Sequence, residues 1–256
     1  MKIWCQSCGA LGKGEPWNTY QRSLERRIEE IVRPETTVEL HGTDFVIPGV
    51  DRFRAAGNIC QWQAIRNAIR AEEEGFDAFV MLSTNDAGFY EIRELVSIPV
   101  IFITEASLYL ACSLGDKFGY VTHNVASLRR RTALVEQYGM AHKMVTGTHL
   151  DLTYNDFLDM FENPKPYLDS WSKKAREVVA RGAGVLLTSP LPVNRWLLDN
   201  NLREIDGAVV LDAAGAVIKT AELMVDLKAI GINRGKTGNY TPPPPEILAG
   251  LKKLYA

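Results

Sequence analysis

The chain has 256 residues, 46% hydrophobic and 23% charged, enough for one large α/β domain or two small ones with proper cores. With 29 basic and 31 acidic side chains the formal net charge is −2, which argues against nucleic acid as a partner. No apolar run approaches the ~20 residues that span a bilayer, and the start Met1-Lys2-Ile3-Trp4-Cys5 turns polar at Gln6, so a cytoplasmic protein with no membrane partner is expected.

Short apolar runs alternate with amphipathic segments, the pattern of parallel strands joined by crossover helices. Lys2–Cys5 reads as a strand, Asn18–Val32 as a helix, Thr37–His41 as a strand and Gln61–Glu74 as a helix stopped by Gly75. Ala78–Leu82 is a buried strand, followed by the polar turn Ser83-Thr84-Asn85-Asp86-Ala87-Gly88, the helix Phe89–Leu95 and the strand Val100–Ile103. The pattern then restarts. Ala106–Leu114 is a helix, Lys117–Val121 a strand, Ser127–Tyr138 a helix and Lys143–Gly147 a strand. Helices are predicted over Tyr154–Glu162 and Tyr167–Arg181, a buried strand over Gly184–Leu187 and a helix over Val193–Asn200. A strand at Ala208–Leu211 and a long helix at Ala214–Ile230 follow, and Thr241-Pro242-Pro243-Pro244-Pro245 reads as extended polyproline.

The stretch Gly75–Leu82 before Ser83 resembles Gly182–Thr188 before Ser189: helix, glycine, apolar strand, polar turn, helix. The chain therefore reads as α/β in two related halves, each a small parallel open sheet. Residues 1–103 with 213–256 are expected to form one lobe and 104–212 the other. Ligands of such sheets bind outside the carboxyl ends of the strands.

The candidate residues therefore stand at strand ends. Ser83, Thr84, Asn85 and Asp86 either face the cleft or cap the helix that follows, with Asn85 or Asp86 as the cap. Thr188, Ser189 and Pro190 carry the same two readings, Ser189 as cap and Pro190 at the first helical position. Glu105 is either an acid or base or a first-turn carboxylate suited to the helix dipole. Thr122 and His123 end another strand; His123 reads either as a group titrating near neutral pH or as a structural histidine, and His41 carries the same two readings. The Arg129–Arg131 run reads as a solvated helix face.

Cys5 and Cys8 form a C-x-x-C, readable as a redox pair, half a zinc site, or two small thiols at a strand end. Cys60 and Cys112 sit in apolar helical stretches and read as core. No second C-x-x-C and no His pair at finger spacing exists, so no metal is expected. Without a Walker-type loop or a Gly-x-Gly-x-x-Gly, no cofactor is expected either.

Over nearly its full length the chain resembles the aspartate/glutamate and hydantoin racemase superfamily. The resemblance is carried by Lys2-Ile3-Trp4 with Gln6-Ser7, Asp86-Ala87-Gly88 before Arg93-Glu94, Ile98-Pro99-Val100 and Glu105-Ala106-Ser107. It continues through Gly119-Tyr120-Val121-Thr122 and Asp206-Gly207 before Leu211-Asp212. It implies two similar Rossmann-like lobes with parallel open sheets in pseudo-twofold relation, a small-molecule substrate in the cleft between them, a cofactor-independent isomerase and a homo-oligomer. It also places Gln6 and Ser7 among the substrate-binding residues. Racemases of the superfamily use two cysteines, one to remove the α-proton and one to deliver a proton to the opposite face. The corresponding positions here are Ser83 and Ser189. A free thiol has a pKa of ~8.5 and readily yields thiolate, whereas a serine hydroxyl needs an adjacent base.

Three functions are consistent with these residues. The first is a racemase-like enzyme acting on a small carboxylate or cyclic amide, with its base drawn from Glu105, His123, Asp86 or His41. The second is a hydrolase or decarboxylase on the same scaffold, using Ser83 with Glu105 or His123. The third is a non-catalytic small-ligand-binding protein.

Overall fold

Apolar runs of a few residues, each returning through a helix, can pair only in parallel, and two parallel sheets result. The computed structural model describes residues 1–14, 17–50 and 52–255. In the first sheet β1 (Lys2–Gln6), β2 (Thr37–His41), β3 (Ala78–Met81) and β4 (Val100–Phe102) lie in the order β2-β1-β3-β4, all parallel. The second contains β5 (Phe118–Thr122), β6 (Met144–His149), β7 (Val185–Ser189), β8 (Glu204–Ile205) and β9 (Ala208–Val210), in the order β6-β5-β7-β9-β8. Only β8, paired with β9, runs antiparallel. Asp206 and Gly207 turn that hairpin with φ of 49° and 85°, the left-handed pair that a two-residue turn requires.

Helices cover both faces of each sheet. On the first sheet Trp4, Phe79, Met81 and Phe102 pack toward α2 (Arg54–Glu73) and α3 (Phe89–Leu95). The alternate residues Ile3, Cys5, Val80 and Ile101 face α1 (Trp17–Ile31) and α9 (Ala213–Ala229). On the second sheet Val121, Leu186 and Val210 pack with α7 (Pro164–Val179) and α8 (Leu191–Asp199). Phe118, Tyr120 and Leu187 pack with α4 (Ile103–Leu114) and α5 (Val125–Gln137). Burial on both faces explains why these strands read as continuous apolar runs. Among the described residues no helix is long and apolar enough to cross a membrane.

Several expectations are corrected. Helix α2 starts at Arg54, seven residues before the expected Gln61. Helix α7 starts at Pro164, because prolines are tolerated in a first turn whose N–H groups lack partners anyway. The polyproline stretch leads directly into α10 (Pro245–Tyr255), whose Leu248, Leu251 and Tyr255 pack on the α2 side of the core. Arg131 is buried rather than solvated. The C-x-x-C is not a pair: Cys8 is disulfide-bonded to Cys60, with their Cα atoms 5.6 Å apart, and Cys5 is a buried free thiol whose pKa burial raises.

Candidate active site

The carboxyl ends of β1, β3, β5 and β7 open onto a common cavity of about 500 Å3. Ser7 follows β1, Ser83, Thr84 and Asn85 follow β3, His123 follows β5, and Ser189 with Pro190 ends β7; all line the cavity. Its other walls are mainly apolar: Trp17 and Tyr20 of α1, Val46 and Ile47 after β2, and Phe157 and Phe161 of α6 (Tyr154–Glu162). Cys8 also lines it. Apart from His123, Arg52 is the one basic side chain among the described lining residues, and its Nη2 donates to Leu152 O at 3.4 Å.

A row of hydroxyls joins the two sheets across this cavity. Ser189 Oγ lies 3.1 Å from Thr84 Oγ1 and 3.1 Å from Ser127 Oγ. Ser127 is there because Asn124 caps α5, accepting from Ser127 N at 2.8 Å, which turns the third residue of the helix toward β7. His123 is held against the same strand end. Its N–H donates to Ser189 O at 3.1 Å, and its Nδ1 lies 3.3 Å from that oxygen. A carbonyl can only accept, so the contact favours the Nδ1–H tautomer and leaves Nε2 as the basic nitrogen. The ring is edge-on to Phe157, with centroids 5.5 Å apart.

The turn after β3 is clamped by its own side chains. Asp86, at φ 47°, accepts from Thr104 N through Oδ1 at 3.0 Å. Its Oδ2 accepts from Glu105 N at 3.1 Å and from Tyr138 OH at 2.6 Å. Asp86 therefore caps α4, not α3, which starts from Gly88 at φ 80° with no side-chain cap. Burial pushes the Asp86 pKa up to about 6, against the pull of the Tyr138 and Thr104 hydrogen bonds and the charge of Arg131. Thr104 Oγ1 donates to Thr84 O at 2.8 Å, and Arg131 Nη2 donates to Asn85 Oδ1. Ser189 is likewise not a cap. It belongs to β7, and Pro190 precedes α8 without a side-chain cap bond.

The structure thus brings Ser83, Ser189 and His123 to one cavity, with Ser7, Thr84, Asn85 and Pro190. It does not bring Glu105 there. The Glu105 carboxylate pairs with Arg93 at 2.5 and 3.3 Å, and the Arg93 guanidinium lies over the Phe89 and Phe102 rings. Gln6 sits beneath the site, donating to Ser7 O and Gly42 O and accepting from Trp4 Nε1 and Asn67 Nδ2. Thr122 Oγ1 lies 3.0 and 3.3 Å from the Asn124 and Thr148 carbonyls. Thr188 is buried in β7 off the main cavity, and His41 stacks on Trp4 at 3.5 Å. Sequence reasoning misses Ser127 and the apolar walls. Only the Asn124–Ser127 capping interval signals the former.

The model of the family described as Asp/Glu/Hydantoin racemase matches residues 18–189. The chain belongs to the Asp/Glu/hydantoin racemase family. A hydantoin racemase from Pseudomonas sp. (strain NS671) is 29% identical over 174 residues, 68% of this chain and 67% of that relative. One from Rhizobium meliloti is 26% identical over 184 residues, 72% of this chain and 73% of the relative. Among solved structures, allantoin racemase from Klebsiella pneumoniae superposes with a TM-score of 0.76 at 18% identity, covering 95% of this chain and 94% of that one. That likeness shows the shared racemase-family fold, two sheets flanked by helices.

Proposed function

We propose that this racemase-family chain acts on a cyclic amide such as a 5-substituted hydantoin, or on a small carboxylate, and exchanges the proton on the carbon beside the carbonyl. The observation that carries the reading is the single cavity of about 500 Å3 on which Ser83 and Ser189 meet from different sheets, with His123 beside them. The apolar walls suit a hydrocarbon or aromatic substituent, because polar groups confined to one end of a pocket orient a ligand while the rest buries it. Residues 1–103 with 213–256 and residues 104–212 serve as the two lobes. The packing of α9 on Ile3 and Val80 of the first sheet supports that division.

His123 is the base in this reading. A serine hydroxyl is too weakly acidic to replace a thiolate, whereas a neutral imidazole can accept a proton on its second ring nitrogen. The hydroxyls of Ser83, Thr84 and Ser189 donate to the substrate oxygen as enolate charge develops on it. The Thr84–Ser189–Ser127 row offers a path for returning a proton. The same groups suit hydrolysis, with a serine attacking the ring carbonyl, and one experiment separates the two reactions.

One enantiomer of 5-benzylhydantoin is incubated with the protein in heavy water and followed by polarimetry and proton NMR. Deuterium at C-5 with loss of rotation is the expected result, and His123→Asn should slow it on the order of 100-fold or more. A ring-opened carbamoyl product would replace the isomerase reading with the hydrolase one. Saturable binding with neither product would leave a binding protein.

A further inference from the structure

Thr84 and Ser189 also wall a second cavity of about 10 Å3, room for about one water-sized sphere. Ser107 of α4, Arg131 of α5 and Thr188 of β7 line it with them. Arg131 is 1% exposed, yet only its Nη2 has a partner, Asn85 Oδ1. Its Nε and Nη1, together with the hydroxyls of Ser107 and Thr188, have no hydrogen-bond partner among the described residues. All four groups can donate, and they belong to residues that share this one small space.

A buried cation needs a counter-charge as well as hydrogen bonds. Asp86 attracts Arg131 through space, but its two oxygens are taken by Thr104 N, Glu105 N and Tyr138 OH. A water molecule would fit the space but can accept from only two of the four donors, and it adds no negative charge to that of Asp86. We propose that Arg131, Ser107 and Thr188 form a binding site for a small monovalent anion of halide size. The site lies behind the hydroxyls of the substrate cavity and fixes Arg131, and through it the Asn85 turn. It is independent of what the larger cavity binds.

The test needs no substrate. Crystals of the full chain soaked in sodium bromide should show an anomalous peak within hydrogen-bonding distance of Arg131 and Thr188. In parallel, Tm is measured as sodium chloride replaces sodium gluconate at constant ionic strength, which holds general screening fixed. A saturable rise on the order of 3 °C is expected by tenfold excess over Kd. Thr188→Val, which removes one donor at similar volume, should weaken the halide dependence about tenfold. Arg131→Met should abolish it. Should Arg131→Met fail to fold, Thr188→Val and the bromide peak decide the matter. A cavity holding water only, or equal Tm in chloride and gluconate, overturns the proposal.

Discussion

Asp86 gathers three donors at the mouth of α4, yet it does so out of contact with water, and burial wins over the hydrogen bonds. Its pKa rises to about 6, against about 3.9 in an unfolded chain. The folded state therefore holds the proton more tightly than the unfolded state. The stability contributed by the protonated carboxyl is complete below about pH 4 and is lost as pH rises through about 6. Asp86→Asn cannot ionise and keeps one oxygen to accept from an N–H. The stability advantage of wild type over Asp86→Asn should shrink by about 2–3 kcal/mol between pH 4 and 7. Urea unfolding of both proteins across that range measures it, and a constant difference would refute the assignment. The role of Asp86 was half legible in the sequence. A carboxylate after a strand suggests a cap, but the first N–H it accepts from, Thr104 N, lies 18 residues later, where only the tertiary fold can bring it.

At the scale of elements, the disulfide explains a helix that periodicity could not find. Residues 54–59 of α2 are largely exposed and include Gly57, so they show neither an apolar face nor strong propensity. Cys60 is the first buried residue of that helix and is bonded to Cys8 beyond β1. The bond closes a sequence separation of 52 residues, worth about 4 kcal/mol in the chain-entropy account. Reductant should lower the Tm of the wild-type protein, while Cys60→Ser should start lower and ignore reductant. A Tm unmoved by reductant in both would show that the bond contributes nothing. Helix α10 escaped for a different reason. Its prolines announce extended chain, and Leu248 and Leu251 gain meaning only against the core that α2 helps to build. The inner strands, by contrast, were legible almost to the residue, since burial on both faces leaves no polar position to blur the run.

At the scale of the whole molecule, the strand ends of the site were readable and its walls were not. Ser83, Ser189 and His123 each follow a visible strand, whereas Trp17, Val46 and Phe157 come from distant segments that only folding collects. The consequence for function lies in the pairing of the two sheets. Ser83 comes from one and Ser189 from the other, so a ligand in the cavity has a hydroxyl from each sheet. If these positions address opposite faces of the α-carbon, then with the native base removed by His123→Asn, Ser83→Cys alone should install a thiolate that exchanges the α-proton of one enantiomer with retention. Ser189→Cys alone should do the same for the other enantiomer, since a single base returns the deuteron to the face it came from. The double variant should racemise both, because one thiolate then removes the α-proton while the opposite thiol delivers its own proton to the other face of the carbon. Chiral chromatography with mass detection in heavy water distinguishes exchange from inversion for each variant. In that background, inversion by a single variant as fast as by the double one would mean that a group other than the second thiol serves the second face. That result would show that Ser83 and Ser189 do not stand opposite one another across the substrate.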